Sequence, residues 1–318
     1  MSAVAFLMRS VWGEKRCGIC RIVVYYIRWA IRLTEEELHL ILGFSTLASS
    51  SSGNCYYIKS ETTSILVDVG ISAAQIVKRL DALEVSAQEI AGVFLTHEHV
   101  DHVKSVSAFH KKAPQAWFIA SQGTASGLDE KVRAAIEPQM MIVAPGCCDG
   151  SQCRDLMIGD IKVHAFCLSH DAAEPTAYTF CKDGRKIAII TDTGTVTEEI
   201  YEALKDADLL VLEANHEENI LLYGRYPYSV KRRILSDEGH LSNEAAGRCL
   251  ARMLTERRAC GDGRVPRVLL AHLSRENNTP QQAFLTVRNV LEEEDFYIGK
   301  DLKMDVLGPD PVPVLTEV

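Results

Sequence analysis

The sequence lacks the features of a fibrous or membrane-spanning protein. Only 10 prolines and 20 glycines occur in 318 residues, which excludes a collagen-like or low-complexity chain. The most apolar stretch, residues 18–31, is interrupted by Arg21 and Arg28. The run between these arginines is far shorter than the ~20 residues that cross a bilayer. We therefore expect a globular chain without a stable membrane span.

The ten cysteines form no disulfide or zinc-ribbon framework. Cys17 and Cys20 have the C-x-x-C spacing, but no second pair follows at the spacing of a zinc ribbon. Many of the others are scattered through apolar stretches, which is typical of buried free thiols. Free thiols favour a reducing compartment, so the sequence predicts a cytoplasmic location and no defined role for Cys17 and Cys20.

The chain also lacks an overall excess of positive charge. Its net charge is −9. Residues 1–33 hold six basic residues against one acidic residue, a net charge of +5, which leaves −14 for the rest. Such an acidic body excludes a bulk electrostatic grip on nucleic acid, though not a local basic groove. Residues 1–39 are interpreted as a basic extension, either an interfacial anchor or the product of a mis-called start, with translation then beginning near Leu38–Leu42.

From residue 40 to residue 318 the patterns predict one domain. Strands are expected at 40–47, 54–59, 64–68, 93–95, 153–158, 161–168, 177–182, 186–191, 209–213 and 268–271, and helices at 72–83, after residue 102 to about 110, 197–205, 229–236, 242–259 and after Pro280. Strands mixed with helices in both halves predict an α/β (α+β) fold. We expect a four-layer αββα sandwich, in which two mixed sheets pack face to face with helices outside.

The strongest chemical signal is His97-x-His99-x-Asp101-His102, directly after the apolar strand 93–95. In an extended loop alternate residues point the same way. His97 and His99 would then face one ion, and Asp101 and His102 another. Imidazole and carboxylate ligands suit zinc, manganese or iron. The competing interpretation is a polar surface loop with incidental histidines.

One loop cannot fill two metal shells, so further ligands are required. His170, Asp192 and His272 each follow a predicted strand. A lone histidine after a strand is more often a structural residue than a ligand. Three such strand-end residues beside the loop motif nevertheless favour a metal centre.

These residues, in this order, resemble the metallo-β-lactamase-fold hydrolases, with Asp68 at the end of an early strand. Several segments are similar to the YycJ/WalJ-type exonucleases: Phe44–Ser49, Ser169–Pro175, Glu213–His216, Gly224–Pro227, Gly239–Asn243 and His272–Asn277. The resemblance covers residues from about 40 to the C-terminus. Ser50 stands where the family predicts glycine, and residues 1–39 have no counterpart.

The resemblance implies two divalent metal ions, zinc or manganese. It places His97, His99 and His170 on one ion, and Asp101, His102 and His272 on the other. Asp192 would bridge the two ions, and Asp68 would position the loop from behind the ligands. Asp101 is thereby expected to be essential for catalysis.

The leaving oxygen of a cleaved phosphodiester needs a proton. Glu213 and His240 resemble the Glu and His that donate a proton in the related ribonuclease Z enzymes. A His240 held by Glu213 would stay protonated near neutral pH. A buried structural Glu–His pair is the alternative interpretation.

Substrate contacts are expected from three short segments. These are the polar loop near residue 52, the basic stretch before residue 234, and the start of the helix at 242. The candidates are Ser52, Asn54, Arg225, Lys231, Arg232, Ser242 and Asn243. A solvated basic helix face, a plain hairpin turn and a helix cap explain the same residues structurally.

The favoured hypothesis is a metal-dependent phosphodiesterase, a 5′→3′ exonuclease that acts on DNA and takes part in DNA repair. An RNA-processing nuclease or a small-molecule (thio)ester hydrolase on the same fold is the alternative. A flavodiiron-type protein is less favoured, because its site expects a glutamate where His99 stands and the chain has no flavin domain. The sequence predicts no oligomeric state.

Overall fold

The computed structural model describes residues 42–145 and 155–318. They belong to one compact unit that runs from Ile41 to Val318. The predicted extension 1–39, with its alternative start and the Cys17–Cys20 pair, lies outside the described residues. Within the described part of the chain, no helix is long and apolar enough to cross a membrane.

Fourteen described strands form two seven-stranded sheets. They are β1 (Gly43–Ala48), β2 (Cys55–Lys59), β3 (Ser64–Val67), β4 (Ile90–Phe94), β5 (Trp117–Ala120), β6 (Met140–Ile142), β7 (Asp155–Ile158), β8 (Ile161–Cys167), β9 (Thr176–Lys182), β10 (Arg185–Ile190), β11 (Leu209–Glu213), β12 (Arg267–Ala271), β13 (Lys303–Val306) and β14 (Thr316–Glu317). The first sheet has the order β14-β1-β2-β3-β4-β5-β6, and the second β13-β12-β11-β10-β9-β8-β7.

Both sheets are mixed in the same way. In the first sheet β1, β2 and β3 pair antiparallel, and β3 to β6 pair parallel. In the second sheet β7 to β10 pair antiparallel, and β10 to β13 pair parallel. Parallel strands end at a common edge, where open α/β sheets bind their ligands. The carboxyl ends of β3, β4, β10, β11 and β12 are therefore the place to look for a site.

Ten helices are described, and several of them pack on the outer faces of the two sheets. They are α1 (Ala73–Asp81), α2 (Val100–Val103), α3 (Val106–His110), α4 (Gln122–Gly127), α5 (Glu130–Ile136), α6 (Glu198–Leu204), α7 (Glu218–Tyr223), α8 (Tyr228–Ile234), α9 (Asn243–Cys260) and α10 (Pro280–Glu293). Short 3-10 helices occur at Ala87–Glu89 and Glu137–Gln139. Ile76 and Phe109 belong to an apolar cluster with the first sheet, and Leu250 and Val287 to one with the second.

Strand β11 illustrates how the sequence determines which side chains face the other sheet and which face the helices. Its residues are all buried, as expected for a parallel strand covered on both faces. Leu209 and Val211 join the cluster between the sheets, whereas Leu210 and Leu212 join the cluster beneath α9. This alternation follows from the two-residue period of a strand. The predicted four-layer αββα sandwich is confirmed.

Local signals in the sequence also match the fold. Ser86 and Glu89 form the expected capping box. The turn between β9 and β10 has left-handed φ values at Asp183 and Gly184, +47° and +80°, as a two-residue hairpin requires. Ser50, where glycine was expected, has no positive φ, so that turn does not demand glycine.

Candidate metal centre

The loop after β4 carries four of the predicted ligands. The expectation of one extended loop holds only as far as His99, which has extended backbone angles and begins α2. Asp101 and His102 then lie in the first turn of that helix. The strand end at residues 68–70 fixes this turn, because the amide of Val69 donates to the carbonyl of His102 over 2.8 Å. A Cβ on Gly70 would come within 1.6 Å of the carbonyl oxygen of Asp101, so glycine is required there.

Three residues at strand ends adopt a conformation that side chains rarely take. Asp68, Asp192 and His272 follow β3, β10 and β12 and have φ values of +60°, +63° and +55°. Residues other than glycine seldom adopt left-handed φ, and such strain is concentrated at functional sites. At each of these three positions the left-handed backbone turns a buried polar side chain away from its strand, at the edge of the sheets where the parallel strands end.

His97, His99 and His170, named here the first cluster, bring three imidazoles together. One ring nitrogen of each lies within 4.8 Å of the others. Nδ1 of His97 lies 3.0 Å from the hydroxyl of Thr96, and Nδ1 of His170 lies 3.0 Å from the carbonyl of Gly239. Burial lowers the pKa of His97 well below its ordinary value and also lowers the pKa of His170. Burial thus favours the neutral form of both imidazoles, which is the form that binds a metal ion.

Asp101, His102 and His272, named here the second cluster, converge in the same way. Nδ1 of His102 donates to Asp68 over 2.7 Å, and Nδ1 of His272 donates to Glu213 over 2.8 Å. The Nε2 atoms of the two rings lie 3.5 and 3.6 Å from one oxygen of Asp101. Burial alone would lower the pKa of His272, but the surrounding carboxylates raise it to about 10, so a cation that binds Nε2 must displace a proton there. A carboxylate that accepts a hydrogen bond from Nδ1 makes Nε2 of the same ring a stronger electron-pair donor to a cation.

Asp192 lies between the two clusters. Its Oδ2 is 3.3 Å from Nε2 of His102, and its Oδ1 is 3.9 Å from Nε2 of His170. Burial alone would raise the pKa of Asp192, but the charges of His272 and His102 hold it well below its ordinary value. Oδ1 also lies 3.4 Å from Nδ1 of His272. A carboxylate within reach of residues from both clusters is placed where a bridging ligand would be.

The unpaired atoms of the site test whether metal ions fit it. Nε2 of His97, Nε2 of His272 and Oδ2 of Asp192 are buried and have no hydrogen-bond partner. A buried polar atom left unpaired costs about 1–3 kcal/mol, so three at one place require an explanation. Nitrogen and carboxylate oxygen atoms that converge in this way suit divalent ions such as zinc or manganese. The residues present fit such ions.

Glu213, at the end of β11, holds two histidines at once. One oxygen accepts from Nδ1 of His240 and from Nδ1 of His272, both over 2.8 Å. The other oxygen accepts from the amides of Thr193 and Leu241 over 2.9 and 3.2 Å. Burial raises the pKa of Glu213, but the charge of His240 and the hydrogen bonds from His240 and His272 together outweigh burial and lower the pKa to about 2. The His240 side chain is 17% exposed, which places it at the open side of the centre.

Of the residues predicted to contact substrate, the two in the early polar loop occupy different places. Ser52 is exposed at the tip of the β1–β2 turn. Asn54 is buried, and its amide nitrogen lies 3.1 Å from Nε2 of His102. Asn54 therefore touches the ligand atom of a candidate metal-binding residue.

The basic and helix-cap candidates for substrate contact also differ in their exposure and in their hydrogen bonds. Arg225 and Arg232 are exposed, whereas the ammonium of Lys231 donates to the carbonyls of Leu222 and Gly224 and so joins α8 to α7. Ser242 caps α9, as predicted, by accepting from the amide of Ala245.

Asn243 lies inside the fold rather than at the cleft where it was expected. Its side chain is fully buried and is hydrogen-bonded to Asn278 and Glu217.

Sequence reasoning missed the groups that orient the imidazoles. Thr96 and Gly239 were not considered, and Glu213 was assigned to His240 alone. Thr96 precedes the motif by one residue, so a hydroxyl beside a ligating histidine was the available signal. No signal identifies Gly239, because it acts through its backbone carbonyl.

Comparison with known proteins agrees with this geometry. Residues 63–260 match the model of the Beta-lactamase superfamily domain. The chain is 36% identical to the exodeoxyribonuclease YycJ of Bacillus anthracis, over 84% of this chain and 96% of that protein. It is 34% identical to the exodeoxyribonuclease WalJ of Streptococcus pneumoniae serotype 2, over 86% of this chain and 97% of that protein.

A solved structure supports the same fold. The metallo-β-lactamase fold protein YhfI from Bacillus subtilis superimposes with a TM-score of 0.59 at 15% identity, covering 86% of this chain and 99% of its own. The chain therefore belongs to the β-lactamase superfamily, within the family of YycJ/WalJ exodeoxyribonucleases, and is a metal-dependent hydrolase.

Proposed function

We propose that this protein is an exodeoxyribonuclease that degrades DNA in the 5′→3′ direction and serves in DNA repair. The observation that carries the proposal is the pair of ligand clusters on either side of Asp192. Three atoms of this site are buried and unpaired: Nε2 of His97, Nε2 of His272 and Oδ2 of Asp192. Such a double site is suited to phosphodiester hydrolysis. The names of the curated relatives support DNA as the substrate.

The proposed centre holds two divalent ions, zinc or manganese. His97, His99 and His170 would hold one ion, Asp101, His102 and His272 would hold the other, and Asp192 would be shared between them. Two such ions would supply an activated water and neutralise charge on the scissile phosphate. Asp68 fixes the ring of His102 through Nδ1, so that Nε2 faces the centre.

His240 is proposed to protonate the leaving oxygen. It lies next to the centre but outside both clusters, and Glu213 accepts its Nδ1 proton. That hydrogen bond orients the ring and favours its protonated form; burial opposes this, but the charge of Glu213 raises the pKa of His240. A positioned acid of this kind contributes roughly 10²–10⁴-fold to rate.

Contacts to the substrate are proposed for the exposed members of the predicted set. Arg225 and Arg232 would bind phosphates, since a guanidinium group can donate two parallel hydrogen bonds to a phosphate. Ser52 would contact the strand at the rim, and Asn54 would position His102. Lys231, Asn243 and Ser242 would support the surface from within.

The cytoplasm is the proposed location of the protein. Cys55, Cys181, Cys249 and Cys260 are free thiols, which fits a reducing compartment. Nucleic acid is the proposed partner.

Digestion of end-labelled substrates tests the function. The metal-loaded protein should release label early from 5′-labelled DNA and late from 3′-labelled DNA, with the matched RNA cut far more slowly. Asp101→Ala should remove the activity. Preferential hydrolysis of RNA or of a thioester would contradict the proposal, as would release that begins at the 3′ end.

A further inference from the structure

The helices α7 and α8 expose two aromatic rings. Tyr223 is 88% exposed and Tyr228 is 79% exposed. Most large apolar side chains of this fold are buried, and an exposed pair on neighbouring helices suggests a binding role. Arg225 lies between them in the sequence, and Arg232 follows one turn after Tyr228. We name Tyr223, Arg225, Tyr228, Arg232 and the nearby Arg275 the tyrosine–arginine surface.

The arginines of this surface differ from most others of the chain. Ten of the fourteen described arginines form ion pairs with a carboxylate: Arg79, Arg185, Arg233, Arg248, Arg252, Arg257, Arg258, Arg264, Arg267 and Arg288. Within residues 42–145 and 155–318, those without an ion pair are Arg133, Arg225, Arg232 and Arg275. Three of these four are in the tyrosine–arginine surface. In an acidic chain, such unpaired guanidinium groups are free to bind an anion.

Several contacts place this surface beside the metal centre. Arg233, next to Arg232, donates to Asp171 over 3.0 Å, and an Asp171 oxygen is 3.3 Å from Nε2 of His170. The amide of His240 donates to the carbonyl of Ile234 at the end of α8 over 3.0 Å. Helix α8, which carries Tyr228 and Arg232, is thus joined to a first-cluster ligand and to the proposed acid.

The start of α7 is joined to the loop that carries Arg275. The amide of Glu217 donates to the carbonyl of Asn277 over 3.0 Å. Asn277 is two residues beyond Arg275, and His272 is three residues before it. Arg275 therefore approaches the same rim from the second cluster.

We propose that the tyrosine–arginine surface binds single-stranded DNA next to the metal centre, with bases stacked on Tyr223 and Tyr228 and phosphates bound by the three arginines. The proposal rests on the proposed function and names the form of its substrate. Aromatic rings alternating with cationic groups suit a single strand, because an unpaired base offers its face for stacking. The bases of a duplex are already stacked on one another. The enzyme should therefore prefer a frayed or single-stranded end.

Binding of short oligonucleotides tests the stacking. The probes are a fluorescent 12-mer of thymidine with phosphorothioate linkages, chosen to slow cleavage, and a matched 12-mer with abasic sites. The metal-loaded full chain should bind the first more tightly. Tyr223→Ala and Tyr228→Ala should each weaken that binding roughly 5- to 100-fold but leave abasic binding nearly unchanged.

Two comparisons separate stacking from damage to the fold. Tyr223→Phe and Tyr228→Phe should restore binding, because the ring and not the hydroxyl stacks. Tyr297→Ala is the matched control, since Tyr297 is also exposed, at 45%, but lies outside the surface; it should bind as the wild type does.

Salt dependence tests the arginines. Arg225→Ala, Arg232→Ala and Arg275→Ala should each reduce the slope of log affinity against log salt by about 0.7, the value for one phosphate contact on a single strand. Arg133→Ala, which removes an unpaired arginine on α5, should leave the slope unchanged.

The outcomes distinguish this inference from the proposed function. Equal loss on the thymidine and abasic probes, or no loss in the tyrosine variants, would overturn the inference while leaving the nuclease proposal intact. Conversion of a dimeric wild type into a monomer by Tyr228→Ala would overturn it too, by identifying a second copy of the chain as the occupant. Base-dependent binding without DNA cleavage would support the inference and contradict the nuclease proposal.

Discussion

The two ligand clusters are built from similar side chains but rest on different supports. In the first cluster, the Nδ1 atoms of His97 and His170 meet a hydroxyl and a carbonyl. In the second cluster, the Nδ1 atoms of His102 and His272 donate to buried carboxylates. A carboxylate behind an imidazole adds negative charge and makes the ring a better donor to a cation. The second cluster should therefore depend more strongly on residues that never touch the ion.

The largest expected effect comes from removing a ligand of the second cluster. Asp101→Ala and His102→Ala should abolish DNA hydrolysis, with a loss above about 100-fold, the upper end for loss of an outer hydrogen-bond partner. The core should remain, because these side chains belong to none of its apolar clusters. Steady-state rates and circular dichroism check both expectations. Wild-type turnover in metal-replete Asp101→Ala would refute the assignment of this cluster.

His240 is held by Glu213, the same carboxylate that holds the second-cluster ligand His272. His240→Ala should keep its metal content but cleave DNA roughly 10²–10⁴-fold more slowly. The defect should shrink on a nitrophenyl phosphodiester, whose leaving group needs no proton.

An equal defect on both substrates would assign His240 a binding or structural role. Glu213→Gln is not a clean substitute for His240→Ala, because Glu213 also holds His272. It should reduce metal content as well as rate.

A smaller effect on metal binding is expected when a carboxylate that holds a ligand histidine is changed and the ligands themselves are kept. Asp68→Asn should reduce the affinity of one of the two metal sites about 10- to 100-fold, as followed by a metal titration. The other site should weaken less, because Asp68 reaches His97 only through the hydroxyl of Thr96. Asp160→Asn is the matched control, because Asp160 also accepts hydrogen bonds, from Ser60 and Lys182, but lies outside both clusters. Equal weakening of both sites by Asp68→Asn would remove the distinction between the clusters.

The smallest effect is expected from deleting residues 1–39. All residues of both clusters follow residue 96, so the shortened chain should retain metal content and DNA hydrolysis. Leu42 must stay, because its carbonyl accepts from the amide of Val318 and its side chain is fully buried. Loss of soluble protein on this truncation would show that the extension contributes to folding.

Sequence patterns predicted the layers and the ligand-bearing loop because both depend on local periodicity. The continuous apolar run of β11 and the histidines after β4 are examples. The short strands β5 and β6 were missed, since three or four residues carry too little periodicity to distinguish a strand.

The supports behind the ligands were only partly predictable. Asp68 was anticipated from the family resemblance. The pairing of Glu213 with His272 joins the ends of two neighbouring parallel strands, so it depends on the order of strands in the sheet. The backbone carbonyl of Gly239 depends on how the segment after α8 folds over His170.

The site is proposed to be a two-metal centre divided between the two clusters. A crystal structure of the metal-loaded protein, with anomalous diffraction recorded at the metal edge, tests it most directly. We predict two peaks about 3.5–4 Å apart, one among His97, His99 and His170 and one among Asp101, His102 and His272, with Asp192 between them. A single peak, or two peaks with Asp192 bound to neither ion, would contradict the account.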